Sequence, residues 1–324
     1  RQGPDDVLGR LGERDDLGLA AGERDALLLA RAPDERRVAP QHRPARRRVA
    51  HLPGRVGGAT KHPILRSKTY TDIASVKEAI LAQDPELLNE LNAKSAEELL
   101  QWSLEYFGDR AGIVTSFQDT GCVIIDMASR VAPGIRVLTV DTLRLHPETY
   151  KLMDEIEGKY ELTIEKFTPD TNRLKRMLAQ HGEFLFFDTK AKQEYCCQIR
   201  KVEPNIQALQ TLDVWFTGLR QDHSSNRSDT PKVQYVENEW NTLLKIAPLL
   251  DWDAEKIKKY SDEHSMPYNK LYDQGYTSIG CTICSTPTLP HEDARAGRWR
   301  WFNSIDPDGQ KECGIHTNTQ GGGI

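Results

Sequence analysis

Cys196-Cys197 and Cys281-Thr282-Ile283-Cys284 place four thiols on two short segments, with Cys281 84 positions beyond Cys197. Four soft thiolates suit zinc or an iron-sulfur cluster. Structural zinc draws each ligand pair from a CxxC knuckle, because both ligands must converge on one ion, and adjacent cysteines converge poorly. A cubane offers separate irons, so neighbouring thiolates can each take a different one. A 4Fe-4S cluster on Cys196, Cys197, Cys281 and Cys284 is therefore expected, with zinc as the alternative. Lys201, four residues after Cys197, either offsets the charge of these thiolates or lies on a solvated helix face.

A fifth thiol has a different character. Cys313 stands in Lys311-Glu312-Cys313-Gly314-Ile315-His316, where Lys311 and His316 favour a thiolate and Glu312 opposes them. It reads as a nucleophile on a segment that Gly314 lets move, or as a free thiol in a tail. Upstream, Arg295-Ala296-Gly297-Arg298-Trp299 sets two guanidiniums three residues apart, suited to a doubly charged anion or to an ordinary cationic helix face. Cys122 lies against Val123-Ile124-Ile125 and reads as a small buried hydrophobe.

The elements that must position these residues follow from periodicity. Ser95-Ala96-Glu97-Glu98 is a capping box ahead of Leu99, Leu100, Trp102, Leu104 and Phe107, which are apolar at helical spacing. Short buried strands are expected at 112–116, 136–140, 162–167 and 214–218, and helices at 122–130, 148–157 and 171–180, with Pro147 in a first turn. Alternation of this kind implies a doubly wound α/β domain with a mostly parallel sheet. Ligands then bind beyond the carboxyl ends of the strands. Three loops there are polar: Ser116-Phe117-Gln118-Asp119-Thr120-Gly121, which ends at a helix N-terminus fit for an anion, Asp141-Thr142-Leu143-Arg144-Leu145-His146, and Leu219-Arg220-Gln221-Asp222-His223-Ser224. Capping alone explains any one of them; three at one edge imply a phosphate-bearing ligand.

The chain has 324 residues, 38% hydrophobic and 28% charged, which excludes disorder throughout. No apolar run approaches the roughly 18 residues a membrane span needs. The net charge of -5 conceals an uneven split. Residues 1–60 hold twelve Arg against nine acids and no Lys, Ser or aromatic residue, while the remainder carries thirty-one Lys and Arg against thirty-nine acids. Residues 1–61 are expected to be a disordered or non-native extension; interleaved acids and missing aromatics argue against nucleic-acid binding there. A helical lead-in over 62–108, a nucleotide-binding α/β domain over 109–293 that holds the four-thiol segments, and a segment over 294–324 carrying the nucleophilic cysteine complete the expected organisation. Six cysteines without an export signal are expected to be reduced thiols in the cytoplasm.

Cys196-Cys197-Gln198-Ile199-Arg200-Lys201-Val202-Glu203-Pro204, Thr217-Gly218-Leu219-Arg220, Asp273-Gln274-Gly275-Tyr276, Ile279-Gly280-Cys281, Glu292-Asp293-Ala294-Arg295-Ala296-Gly297-Arg298-Trp299 and Glu312-Cys313-Gly314-Ile315-His316 together resemble the assimilatory adenylyl-sulfate reductases, over about residues 85 to 316. The resemblance implies an adenine nucleotide alpha-hydrolase-like fold, a 4Fe-4S cluster, and reduction of adenosine 5'-phosphosulfate to sulfite and AMP by thioredoxin or glutaredoxin. It implies Cys313 as nucleophile, Lys201, Arg295, Arg298 and His316 around the phosphosulfate, and Ser116, Asp141 and Arg220 in loops that hold the nucleotide. The presence of both cysteine pairs favours the substrate without a 3'-phosphate. A 3'-phosphoadenosine 5'-phosphosulfate reductase and a non-catalytic iron-sulfur nucleotide sensor are the alternatives. Two positions depart from the family pattern. The Ser116–Gly121 loop differs after its aromatic, and Leu143 replaces a usual glycine, so that its turn must avoid positive φ or bear strain.

Overall fold

The computed structural model describes residues 70, 72–223 and 230–303, so Cys313, His316 and the extension over 1–61 lie outside the described residues. The chain divides between Pro63 and Ile64, and every described residue belongs to the second unit. Three helices lead in: α1 (Ile73–Leu81), α2 (Pro85–Asn92) and α3 (Ala96–Phe107). The expected capping box starts α3, with the Glu98 N–H donating to Ser95 Oγ at 3.1 Å and the Ser95 N–H donating to Glu98 Oε2 at 2.7 Å. Leu99, Leu100 and Phe107 then fall on one buried face, as their spacing requires.

Six strands follow: β1 (Ala111–Val114), β2 (Arg136–Val140), β3 (Ile164–Phe167), β4 (Val214–Phe216), β5 (Val233–Glu237) and β6 (Thr242–Ile246). The helices between and after them are α4 (Asp119–Val131), α5 (Pro147–Tyr160), α6 (Thr171–His181), α7 (Lys190–Cys197), α8 (Glu203–Leu209), α9 (Ala254–Glu263) and α10 (Arg300–Asn303). The strand order is β3-β2-β1-β4-β6-β5, with every pairing parallel except β5 to β6. The doubly wound, mostly parallel sheet expected from the alternation is the sheet observed. The β5–β6 hairpin is an addition that the periodicity did not announce. β5 is a half-exposed edge strand, and β6 carries Lys245 in a buried run, its ammonium 5.0 Å from the Trp215 ring centroid.

β1 and β4 end two residues sooner than their sequences suggest. That leaves Thr115–Gln118 and Thr217–Arg220 as loops at the carboxyl edge, side by side where the strand order reverses. Among the described residues no helix is long and apolar enough to cross a membrane.

Far from that edge, Asp126 pins α4 to α5 and α9. The nearly buried carboxylate accepts from Tyr160 at 2.9 Å, Tyr260 at 2.8 Å and Arg130 at 2.5 Å. Burial pushes this carboxyl up, but the Tyr260, Arg130 and Tyr160 bonds outweigh it and hold the group below the ordinary carboxylate range. Its stabilisation is therefore complete above about pH 4 and lost as pH falls through the lower folded-state value. Asp126→Asn is expected to cost about 2–3 kcal/mol at neutral pH, read by urea melts, with the gap from the parent narrowing as the pH is lowered past 4.

Candidate active site

Two cavities open at the carboxyl edge of the sheet, and Thr115 and Ser116 line both. The first lies over the β1 and β4 loops. Thr115 Oγ1 accepts from the Phe117 N–H at 3.0 Å, and Phe117 turns its backbone to φ 57° while its ring is fully buried. A Cβ on Gly121 would stand 2.1 Å from Thr115 Oγ1, so the closed loop requires glycine at that position. The opening N–H groups of α4 are already engaged: that of Asp119 donates to the Tyr272 hydroxyl at 3.2 Å and that of Thr120 to Asp119 Oδ1 at 2.6 Å. Arg220 is buried and bonded to Thr120 at 2.7 Å, to Asp222 at 2.9 and 3.2 Å, and to Asp119 at 3.3 Å. It ties the β4 loop to the β1 loop, and two carboxylates balance its charge. Arg295, Tyr276 and Ser278 line the same cavity. Burial raises the Tyr272 phenol well above its ordinary value, so it stays neutral.

The second cavity gathers the four thiols. Cys196, Cys197, Cys281 and Cys284 line it with Arg144, Arg200, Lys201 and Arg298, and no carboxylate lines it among the described residues. Three local features bring these side chains together. An antiparallel bridge joins Leu145 to Cys281, a second joins Ser285 to Arg298, and a π-turn over Gln198–Val202 follows α7. Gly280 makes room for the Arg298 guanidinium, whose atoms would lie 2.4–2.7 Å from an added Cβ. Gln193 Nε2 donates to Cys197 Sγ at 3.1 Å, and Cys281 Sγ lies 3.2 Å from Thr142 Oγ1. Arg200 donates to the Thr142 carbonyl at 2.9 Å and also hydrogen-bonds Cys196.

Arg144 pairs with Glu183 at 3.0 Å, while Arg200 meets the Thr142 carbonyl and the Cys196 thiol. Burial lowers the pKa of the Arg200 guanidinium, with Arg144 adding to the effect. Among the described residues, the buried Arg200 Nε and Arg144 Nη1 have no hydrogen-bond partner. Burial likewise pushes the Cys196 thiol up, opposed by Arg200, and pushes the Cys284 thiol up to about 12, with Cys281 reinforcing it. Arginine stays charged under these conditions, so the cavity calls for negative charge. Metal binding would supply it by deprotonating the thiols. No three His, Cys, Asp or Glu side chains converge on one ion among the described residues.

Lys201, Ser116, Arg220, Arg295 and Arg298 all line the cavities at this edge, with Arg298 in one and Arg295 in the other. Asp141 shapes its turn, its Oδ1 accepting from the Leu143 N–H at 2.8 Å and the Tyr150 hydroxyl at 2.7 Å. Cys122 is buried with its thiol pushed well up by burial, in keeping with a bystander. Gln193 has no place in the sequence reading, and Arg200, Arg144 and Thr142 enter it only within longer stretches and without a role of their own. The four-residue spacing that links Cys197 to Lys201 also links Cys196 to Arg200, and it was the available signal.

The phosphoadenosine phosphosulfate reductase domain model matches residues 111–287. The chain belongs to that family. Adenosine 5'-phosphosulfate reductase of Pseudomonas aeruginosa (strain LESB58) is 34% identical over 236 residues, spanning 72% of this chain and 86% of the relative. The enzyme of the same name from Rhizobium tropici is 39% identical over 181 residues, 56% of this chain and 97% of its own. A phosphoadenylyl-sulfate reductase from Candida auris, solved as a phosphate complex, superposes with TM-score 0.52 at 30% identity, covering 60% of this chain and 94% of that one.

Within this reductase fold, Leu143 adopts φ 57° and is exposed, so the turn where the family pattern has glycine bears strain. A left-handed non-glycine residue costs about 1–2 kcal/mol, part of which glycine gives back through unfolded-state entropy. Leu143→Gly is expected to raise the urea midpoint by the equivalent of about 0.5–1 kcal/mol with an unchanged denaturant slope, whereas Leu143→Ile should lower it.

Proposed function

We propose that the chain reduces adenosine 5'-phosphosulfate to sulfite and AMP. The observation that carries this reading is the adjacency of two unlike cavities. One is charge-balanced and bounded by a nucleotide-type loop; the other holds Arg144, Arg200, Lys201 and Arg298 beside four thiols. An adenosine group suits the first and a phosphosulfate the second. The names of the relatives from Pseudomonas aeruginosa and Rhizobium tropici support the same substrate.

The Cys313 thiolate would attack the sulfur of the phosphosulfate, forming a sulfur-sulfur bond and breaking the sulfur-oxygen bond to phosphate. AMP leaves with that electron pair, and the cations of the second cavity stabilise the charge moving onto its phosphate. A thiolate of thioredoxin or glutaredoxin then attacks Cys313 Sγ, expelling sulfite and leaving a mixed disulfide. The second thiol of that protein resolves the disulfide and returns Cys313 reduced. Lys201 and His316 are assigned to the phosphosulfate, with Ser116, Asp141, Arg220 and Arg295 on the nucleotide side.

Cys196, Cys197, Cys281 and Cys284 fit a 4Fe-4S cluster. The donor set is four thiols lining one cavity, and among the described residues the buried Arg200 Nε and Arg144 Nη1 beside them lack a hydrogen-bond partner. When bound, such a cluster would supply negative charge next to the cations and join the 196–197 and 281–284 segments. Zinc is the alternative, disfavoured because the adjacent Cys196 and Cys197 would converge poorly on one ion. The reduced cysteines of the described residues suit a cytoplasmic setting. A substrate bearing a 3'-phosphate is the second reading, since the Candida auris neighbour carries that name. Arg220, already balanced by Asp119 and Asp222, argues against it.

Incubation of the purified protein with adenosine 5'-phosphosulfate should add one SO3 group to Cys313, detected by mass spectrometry, and Cys313→Ser should abolish both the adduct and sulfite release. Undiminished turnover in that variant sinks the mechanism, and a higher kcat/KM for the 3'-phosphorylated nucleotide transfers the activity to the second reading. Gly280→Ala, which must displace the Arg298 guanidinium, is expected to raise KM about tenfold, in line with one charge-assisted hydrogen bond to substrate, with little change in melting temperature.

A further inference from the structure

The vicinal cysteines pose a problem of aim. Adjacent residues on a helix point about 100° apart, so Cys196 and Cys197 cannot share one supporting contact. Arg200 serves Cys196. For Cys197 the support comes from the preceding turn of α7, where Gln193 stands four residues earlier on the same face.

The Gln193 side chain is 1% exposed. Its Nε2 donates to Cys197 Sγ at 3.1 Å, while its buried Oε1 has no hydrogen-bond partner among the described residues. A residue that merely filled this space would serve better as an apolar one, since an unpaired buried carbonyl is destabilising.

We propose that Gln193 is a positioning residue for the iron-sulfur ligand set: its N–H to sulfur bond fixes Cys197 and sets how firmly that thiolate holds its iron. This rests on the cluster reading above. Cys281 Sγ bonds Thr142 Oγ1 at 3.2 Å, as donor where Cys197 Sγ is the acceptor. The vicinal pair is thus held on both sulfurs, by Arg200 and Gln193. Donors of this kind are expected to weigh on cluster retention as heavily as partners of other metal ligands do, about 10–100-fold in affinity.

The test uses the full chain with its cluster reconstituted without oxygen, compared with Gln193→Met, which removes the donor, and Gln193→Glu, which keeps size and shape but turns an acceptor toward sulfur. Iron release to a chelator is expected to be about tenfold faster in Gln193→Met and faster still in Gln193→Glu. The Fe–S(Cys) stretching bands in resonance Raman spectra should move to higher frequency in Gln193→Met as the hydrogen bond to sulfur is lost. Gln193→Glu keeps the test readable where the Met variant fails to fold, with near-UV circular dichroism as the check. A parent chain that takes up no iron overturns the cluster reading itself. A parent that holds iron, with both variants releasing it at the parent's rate or with unmoved Raman bands, overturns the role of Gln193 alone.

Discussion

Four cationic side chains beside four thiols, in a cavity with no lining carboxylate, form the constraint on which the rest of the site depends. A charge withdrawn from water is strongly unfavourable unless paired, and arginine cannot escape by losing its proton. Arg200 makes the tension plain, since it is buried, destabilised in its charged form and, among the described residues, short of one hydrogen-bond partner. Whatever enters this cavity, or ionises within it, is favoured by being negative. Thiolates and a phosphosulfate are the two negative species that the surrounding chemistry provides for.

The fold supplies this concentration of charge by bringing distant segments to one edge. Parallel strands set Thr115, Thr142 and the β4 loop in a row, and the α7 segment and the 280–298 loops close over them. Each closure rests on a small residue or a local irregularity. Gly280 admits a guanidinium, Gly297 lies where a Cβ would strike the Thr286 carbonyl at 2.1 Å, and the π-turn carries Arg200 and Lys201 to the cavity wall. The stabilising pins sit elsewhere, as with Asp126 and its two tyrosines. Tension at the site and satisfaction at a distance are thus separated within one sheet.

Much of this was legible beforehand. The capping box at Ser95, the apolar face of α3 and the alternation of strand and helix rest on local periodicity, which the chain displays openly. The paired cysteines and the Arg298 motif rest on residue type. What escaped was whatever depends on tertiary context. The β5–β6 hairpin hides because one strand is a half-exposed edge and the other buries a lysine against Trp215. The separation of Arg295 from Arg298 hides because three-residue spacing places them together only on a helix, whereas here the backbone turns and positive φ at Trp299 follows. Gln193 hides because glutamine in a short helix carries no signal until the sulfur beside it is seen.

The two cavities also explain why Arg220 and Arg200, both buried arginines at the same edge, do different work. Arg220 has four hydrogen bonds to Asp119, Asp222 and Thr120, so its charge is consumed in joining two loops, and the ground it stands on is neutral. Arg200 has a backbone carbonyl and thiols, so its field projects into the cavity. In the proposed placement, a nucleotide laid across both would meet a neutral surface under its base and sugar and a positive one under its sulfated phosphate. Charge that builds on that phosphate as its bond to sulfur breaks is met by cations already in place and already desolvated. Such preorganised groups need no reorganisation as the bond breaks, which is how fixed charges lower a barrier and not merely bind a ground state.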